Sequence, residues 1–421
     1  MIYRGKFFLL MLLMCLLGSA CTTSASANLK PVVPPAPQSS LDGQTGLIFL
    51  PLLASPSTYY QTFDGEPNEP KPWQPATWDV TVHSRDSDTW KALEPMHAAH
   101  GMDCSAPPAS HTITDYEDAV FQCRDHVMTS LNAKGYGVIY LTPNQMVNFG
   151  DGEAVVSWDM STLRTSQRDW VDLWITPYAE NLQLPLESWL PDLQGEPRNA
   201  IHIRMDTTNG QTIFKGEIIR NFVTTDVTTN NWTGYETVLT PSAKRRDRFE
   251  LRISRNYIKF GMPQYNLWWV DTKIDDLGWS TGVVQFGHHS YNPMKDCSDC
   301  APNTWHWDNV MIDPAVPFTI IRASQRSTDA TSGGVITLPA PAPADARLRF
   351  AGIGKQLEVS FDDGKTWQAA QRQAQPRNVE EQFSSYWTPI PPGTQQVLVR
   401  GEKWWGGEWT VRDISVWSQR T

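Results

Sequence analysis

A chain of 421 residues that is 40% hydrophobic and 19% charged is long enough for two domains, at roughly 100 to 200 residues each, with ample apolar core. Its 35 Lys and Arg against 45 Asp and Glu leave a net charge of -10, which argues against nucleic acid as a partner, because phosphates call for clustered cations. The 19 Trp outnumber both the 12 Tyr and the 15 Phe; indole offers a large flat apolar area with one donor, suited to cores, interfaces and sugar contacts alike.

The N-terminus reads as an address. Arg4 and Lys6 precede an apolar run from Phe7 to Leu17, and Gly18-Ser19-Ala20 then stand before Cys21, the layout of an export signal. The run is too short to span a bilayer. It resembles a bacterial lipoprotein signal, with Gly18 where Leu is usual. The resemblance implies that residues 1–20 are removed, that Cys21 is lipidated, and that the protein is exported and held on the outer face of an envelope membrane. An ordinary cleaved signal beside a Cys is the alternative. In that oxidising setting Cys104, Cys123, Cys297 and Cys300 are an even number of thiols, and two disulfides are expected. Joining Cys104 to Cys123 would close a loop of about twenty residues, worth on the order of 3 kcal/mol in the chain-entropy model. Cys297-Ser298-Asp299-Cys300 reads as a loop staple, with metal or redox chemistry as the alternatives; no second C-x-x-C completes a zinc ribbon.

Residues 21–45 are rich in Ser, Thr, Ala and Pro, with four prolines between Pro31 and Pro37, the composition of an extended tether. Strand-like segments follow: Trp78–Val82, Gly137–Leu141, Glu153–Trp158, Trp170–Ile175, Ala200–Met205 and Phe249–Ile253 all alternate or are β-branched and aromatic. Turn-formers such as Asn148 to Gly152 and Thr207 to Gly210 separate them. The best helical candidate is short, from Trp90 to Ala99. The expected fold is all-β: a large two-sheet jelly-roll sandwich over 46–317, followed by a smaller β-sandwich over 318–421.

Two resemblances refine this. Asp247 to Phe260, a charge-alternating strand turning at Arg255-Asn256 into a second strand, and Trp305-His306-Trp307-Asp308-Asn309-Val310 resemble segments of the concanavalin A-like lectin/glucanase jelly roll. That fold implies glycan contact on a concave sheet, although it also serves adhesive and structural roles. Ser360-Phe361-Asp362-Asp363-Gly364-Lys365-Thr366-Trp367 is similar to the Asp-box hairpin. A single copy is too few for a propeller, and the C-terminal segment reads as an immunoglobulin-like accessory sandwich.

For chemistry, a jelly-roll glycosidase needs two carboxylates on one sheet face, about 5 to 5.5 Å apart for retention. Neither E-x-D-x-E nor E-x-D-x-x-E occurs in the sequence. The strongest polar cluster is Gln285 to Tyr291 with Trp305 to Asp308: strand parity puts Gln285, His289 and Tyr291 on one face and His306 with Asp308 on one face of another strand. Trp268, Trp269, Asp271, Gln285, His289, Tyr291 and Asp308 are the candidate ligand contacts. His289, His306 and Asp308 are the candidates for acid–base work. Helix-based metal spacing, nucleophile elbows and phosphate loops are all missing, so neither a metal nor a cofactor is expected. The leading reading is an envelope-anchored carbohydrate-binding lipoprotein contacting a polysaccharide on a Trp-lined concave sheet. Its rivals are a polysaccharide hydrolase or lyase on the same face and a structural or adhesive surface protein with no glycan site.

Overall fold

The computed structural model describes residues 57–64, 71–73, 75–84, 119–131, 137–164, 169–180, 197–206, 213–230, 246–290, 303–323, 327–329, 334–372, 384–402 and 409–419. The leader and tether at 1–45, the Trp90 to Ala99 segment, Tyr291, Cys104, Cys297 and Cys300 lie outside them. Among the described residues the protein is all-β apart from short 3-10 turns, and no helix is long and apolar enough to cross a membrane.

Seventeen strands make the larger part: Ser57–Gln61 (β1), Lys71–Pro72 (β2), Trp78–Ser84 (β3), Ala119–Gln122 (β4), Val127–Leu131 (β5), Gly137–Pro143 (β6), Gln145–Asn148 (β7), Ala154–Arg164 (β8), Asp169–Pro177 (β9), Asn199–Asp206 (β10), Ile213–Arg220 (β11), Val223–Asp226 (β12), Asp247–Ser254 (β13), Tyr257–Met262 (β14), Leu267–Lys273 (β15), Thr281–Ser290 (β16) and Asn303–Pro317 (β17). They form one curled sheet with two antiparallel runs. One run is β3-β6-β16-β9-β10-β11-β12. The other is β2-β4-β5-β17-β8-β13-β14-β15, with β1 also on β17. Strand β7 pairs with both β16 and β17 and joins the runs. Five of the six sequence segments with strand periodicity fall within strands of this sheet, and the sixth, Glu153–Trp158, does so from Ala154 on.

The runs fold face to face because each has one apolar side. Along β13, Phe249, Leu251 and Ile253 are buried while Arg248, Glu250 and Arg252 are partly exposed, the period-2 alternation of a half-buried strand. Aromatic rings close the space between runs. Phe214 stacks on Trp269 at 3.7 Å between centroids, and Phe286 meets Trp158 at 5.5 Å and Trp307 at 5.8 Å. Such pairs add about 0.5 to 1.5 kcal/mol each beyond burial. Trp78, Trp158, Trp269, Trp305, Trp307, Trp387 and Trp417 are all fully buried, so much of the tryptophan excess is core.

After Pro317 the described residues form two small antiparallel sheets, closed around Ile336, Leu348, Phe350, Val359, Val397 and Val416. In the turn following Lys355–Ser360, Asp362 accepts from the Thr366 N–H at 2.9 Å and from its hydroxyl at 2.6 Å, while Trp367 Nε1 donates back to the Gly364 carbonyl at 3.1 Å. Gly364, at φ 82, occupies the left-handed region that the turn requires. Phe318, Trp387 and Trp417 pack with Met146 and Val283 of the large sheet and with Tyr178 in the turn after β9. Beside them Arg322 Nη2 donates to Asp79 Oδ1 at 3.2 Å, and the buried Arg349 places Nη1 3.7 Å from Asp79 Oδ2. Both regions belong to one compact unit spanning Ala54–Thr421.

Candidate functional site

The first run of strands has two unlike faces. One presents Leu173, Ile175, Ile201, Ile203, Ile218, Val284 and Phe286 to the core. Parity therefore sends the intervening residues to the other face, where two cross-strand rows form. Gln285, Trp174, His202 and Glu217 lie side by side on β16, β9, β10 and β11; Tyr140, Gly287, Asp172, Arg204 and Lys215 make the neighbouring row from β6 to β11. Beyond them His289 is paired with Trp170.

Asp172 is the hub of these rows. His289 Nε2 lies 2.9 Å and His202 Nε2 3.3 Å from its Oδ2, and His202 Nδ1 lies 2.8 Å from Glu217 Oε2. Both ring nitrogens of His202 face carboxylates, an arrangement that favours the imidazolium, in which both donate. Burial alone would disfavour that charge, but the hydrogen bonds from His202 to Asp172 and Glu217 outweigh it and raise the His202 pKa above its ordinary 6.5. For Asp172, burial works against ionisation, yet the charge of His289 and the hydrogen bond from His202 hold the carboxyl well below the usual range. Gly287 makes the room: a Cβ there would collide with Asp172 Oδ1.

Each imidazole also lies flat on an indole. His289 stacks on Trp170, planes within 10° and centroids 4.6 Å apart, and His202 stacks on Trp174 at 3.7 Å. The Arg204 guanidinium stands 4.9 Å from the Trp170 ring. Asp172, His202, His289, Trp170 and Trp174 are buried; Arg204 and Glu217 are half-buried and Lys215 is exposed. This face joins aromatic edges to carboxylate, guanidinium and ammonium groups at an accessible rim, a combination that suits hydroxyl-rich ligands.

The sequence-predicted site residues are distributed over several surfaces. His289 and Gln285 stand on the polar face, where Gln285 Nε2 donates to Thr142 Oγ1 at 3.1 Å. The adjacent His288 points into the core, near Thr129 Oγ1 at 2.9 Å, and burial drives its pKa well down. Trp268, Trp269 and Asp271 are on β15, in the other run. Trp269 is core; Trp268 lies under the Lys259 ammonium at 4.3 Å, and Asp271 takes an ion pair from Lys259 at 3.0 Å and a hydrogen bond from Tyr257. The grouping of Trp268 or Trp269 with His289 and Asp308 in one groove is therefore replaced by separate surfaces.

His306 and Asp308 share the outer face of β17, as parity implies, since Trp305 and Trp307 point into the core. Their partners come from elsewhere in the chain. His306 Nδ1 is 2.7 Å from His126 Nε2, whose Nδ1 is 2.7 Å from Asp125 Oδ1. Arg246 bridges Asp125 at 2.9 Å and Asp308 at 3.3 Å. Burial pushes Asp308 up to about 6 against the pull of Arg246, and burial drives His306 well below its ordinary value. Among the described residues no group of three or more His, Cys, Asp or Glu is arranged to hold a metal ion. Cys123 is buried and disulfide-bonded; the expected pairing with Cys104 involves a residue outside the described ones.

Trp170, Asp172, Trp174, His202 and Glu217 were missed as site residues. A signal for three of them exists in the alternation Trp170-Val171-Asp172-Leu173-Trp174, which puts two indoles around one carboxylate on a single strand face. A search for paired carboxylates passes over it.

No protein-family model matches the chain, and no curated protein matches it. Solved structures similar to it include a beta-1,3-glucanase from Mycobacterium marinum, at 11% identity over 62% of this chain and 99% of that one, with a TM-score of 0.36. The Bacillus licheniformis beta-glucanase is similar at 10% identity over 61% and 97%, TM-score 0.33. A Bacillus subtilis protein of unknown function with a galectin-like fold is similar at 13% identity over 46% and 84%, TM-score 0.30. At these scores activity and residue roles stay with those proteins, and the all-β architecture stands on its own strand pairings.

Proposed function

We propose that this is a carbohydrate-binding protein with a concanavalin A-like jelly roll, which contacts a polysaccharide on the polar face of β16, β9, β10 and β11. The observation that carries the reading is the occupancy of alternate β9 positions by Trp170, Asp172 and Trp174. On this face Asp172 is flanked by two indoles and contacted by His202 and His289, and the second carboxylate, Glu217 on β11, is taken up by His202 at 2.8 Å. With both carboxylates engaged by His202, neither is presented free to a glycosidic bond, which favours recognition over hydrolysis. The ligand meets the accessible rim of Glu217, Arg204 and Lys215 and the indole edges behind it. Export, lipidation at Cys21, anchoring to the outer face of an envelope membrane and a Cys104–Cys123 disulfide complete the proposal, supported by the leader layout and the count of thiols.

The test is affinity electrophoresis of the chain through gels containing soluble β-glucan, galactomannan, xylan or alginate. Retardation by at least one polymer, reduced tenfold or more in affinity by Trp174→Ala or Glu217→Ala, is the expected outcome. Free mobility in every gel sinks the reading. A second reading, a hydrolase or lyase on this face, is favoured by the His289–Asp172 contact at 2.9 Å, since a carboxylate orients a histidine base. New reducing ends or unsaturated products during the same incubations would establish it.

A further inference from the structure

The β11–β12 hairpin is closed by a two-residue loop, Asn221-Phe222, with Arg220 paired to Val223. Both loop residues have positive φ, 49 and 67, as in the type I′ turns that suit hairpin twist, in which the second position is typically Gly. Here it is Phe. A bulky aromatic in the left-handed region is a real outlier, and such strain persists only where surrounding groups over-determine it, often at ligand contacts.

The surroundings do so. The Phe222 N–H donates to the Arg198 carbonyl at 3.0 Å, the Asn221 N–H to Asn199 Oδ1 at 3.2 Å, and Arg198 Nε to Asn221 Oδ1 at 3.0 Å. Asn199 is fixed in turn through its N–H and Nδ2 by Glu180, at 2.9 and 3.1 Å. This network holds out an aromatic side chain that is 62% exposed, beside Val223 at 65%. A strained turn that exposes apolar surface works against both stability and solubility. Binding is the use that accounts for it.

We propose that Phe222 is a stacking contact for the polysaccharide, at the end of the polar face; this rests on the carbohydrate-binding reading above. The turn closes the same strand that carries Glu217 and Lys215, and at about 3.3 Å per residue it lies roughly 15 Å beyond Glu217, past the buried Ile219. One ring and one Val make a small apolar area, matched to the apolar face of a sugar residue and small for membrane insertion.

Phe222→Gly and Phe222→Tyr separate the strain from the contact. Phe222→Gly relieves the backbone, so its unfolding temperature is expected to equal or exceed that of the wild-type chain. Its affinity in the same polysaccharide gels is expected to fall at least fivefold, with Phe222→Tyr retaining wild-type affinity. Wild-type affinity in Phe222→Gly overturns the stacking role while leaving the binding face intact. Loss confined to co-sedimentation with phosphatidylglycerol vesicles, or to self-association in sedimentation velocity, overturns it in favour of a membrane or a second copy. Free mobility of the wild-type chain in every gel removes the carbohydrate reading and this role together.

Discussion

His202 lies on Trp174 with ring centroids 3.7 Å apart and planes within 10°, and its two nitrogens reach Asp172 on β9 and Glu217 on β11. A single imidazole thus joins an indole and two carboxylates across three strands. The raised His202 pKa stabilises the fold fully below the ordinary 6.5, and that stabilisation is lost as pH rises through the higher folded value. Asp172 and Glu217 have lowered values, so their contribution is present above the ordinary carboxylate range and is lost as pH falls through the folded values. Thermal unfolding of wild type and His202→Gln across pH 4 to 9 is expected to show the largest difference near pH 5 to 6 and a smaller one at pH 9. A difference that grows toward pH 9 would refute the imidazolium.

Gly287→Ala tests the hub from beneath. The added methyl would collide with Asp172 Oδ1 and approach His289 Nε2 at 2.9 Å, and overpacking of this kind costs about 1 to 3 kcal/mol. Urea unfolding is expected to report a loss in that range together with weaker polysaccharide retardation. An unchanged midpoint would mean that Asp172 has room to move.

Asp308→Asn should behave in the opposite sense. With a folded pKa of about 6 against an ordinary 3.8, ionised Asp308 is disfavoured in the folded protein, so stability is lost as pH rises through 6. The amide can still accept from the Asn309 N–H, now 2.8 Å from Asp308 Oδ1. The variant is expected to melt above wild type at pH 8 and level with it at pH 4. A lower melting temperature at pH 8 would show that the Arg246 ion pair dominates instead.

Asp79→Ala addresses the C-terminal sheets. Arg349 is 1% exposed, with its guanidinium 4.1 Å from the Trp417 ring centroid and 3.7 Å from Asp79. Removing one partner of a buried ion pair costs about 3 to 5 kcal/mol because the other charge stays behind. Urea unfolding followed by tryptophan fluorescence is expected to shift accordingly, and a shift below about 1 kcal/mol would place the support for Arg349 in the indoles rather than in Asp79.

Period-2 alternation by itself determined the all-β class and the six quoted strands, because a residue's face on a strand follows from local geometry. It also determined that His288 and His289 point opposite ways, and that Trp268 and Trp269 do so if both lie on a strand. Which strands become neighbours is a different matter. Pairing brings β9, β10 and β16 together over separations of thirty to more than a hundred residues, and nothing local to Asp172 encodes its two imidazoles. Tertiary structure alone decided that His289 meets Asp172 while Asp308 meets Arg246 on the other run, because those contacts depend on sheet order and not on the periodicity of any one segment. The aromatic excess divides for the same reason: enclosure between two sheet faces buries most of the described indoles as core, and cross-strand register makes Trp170 and Trp174 part of a polar site.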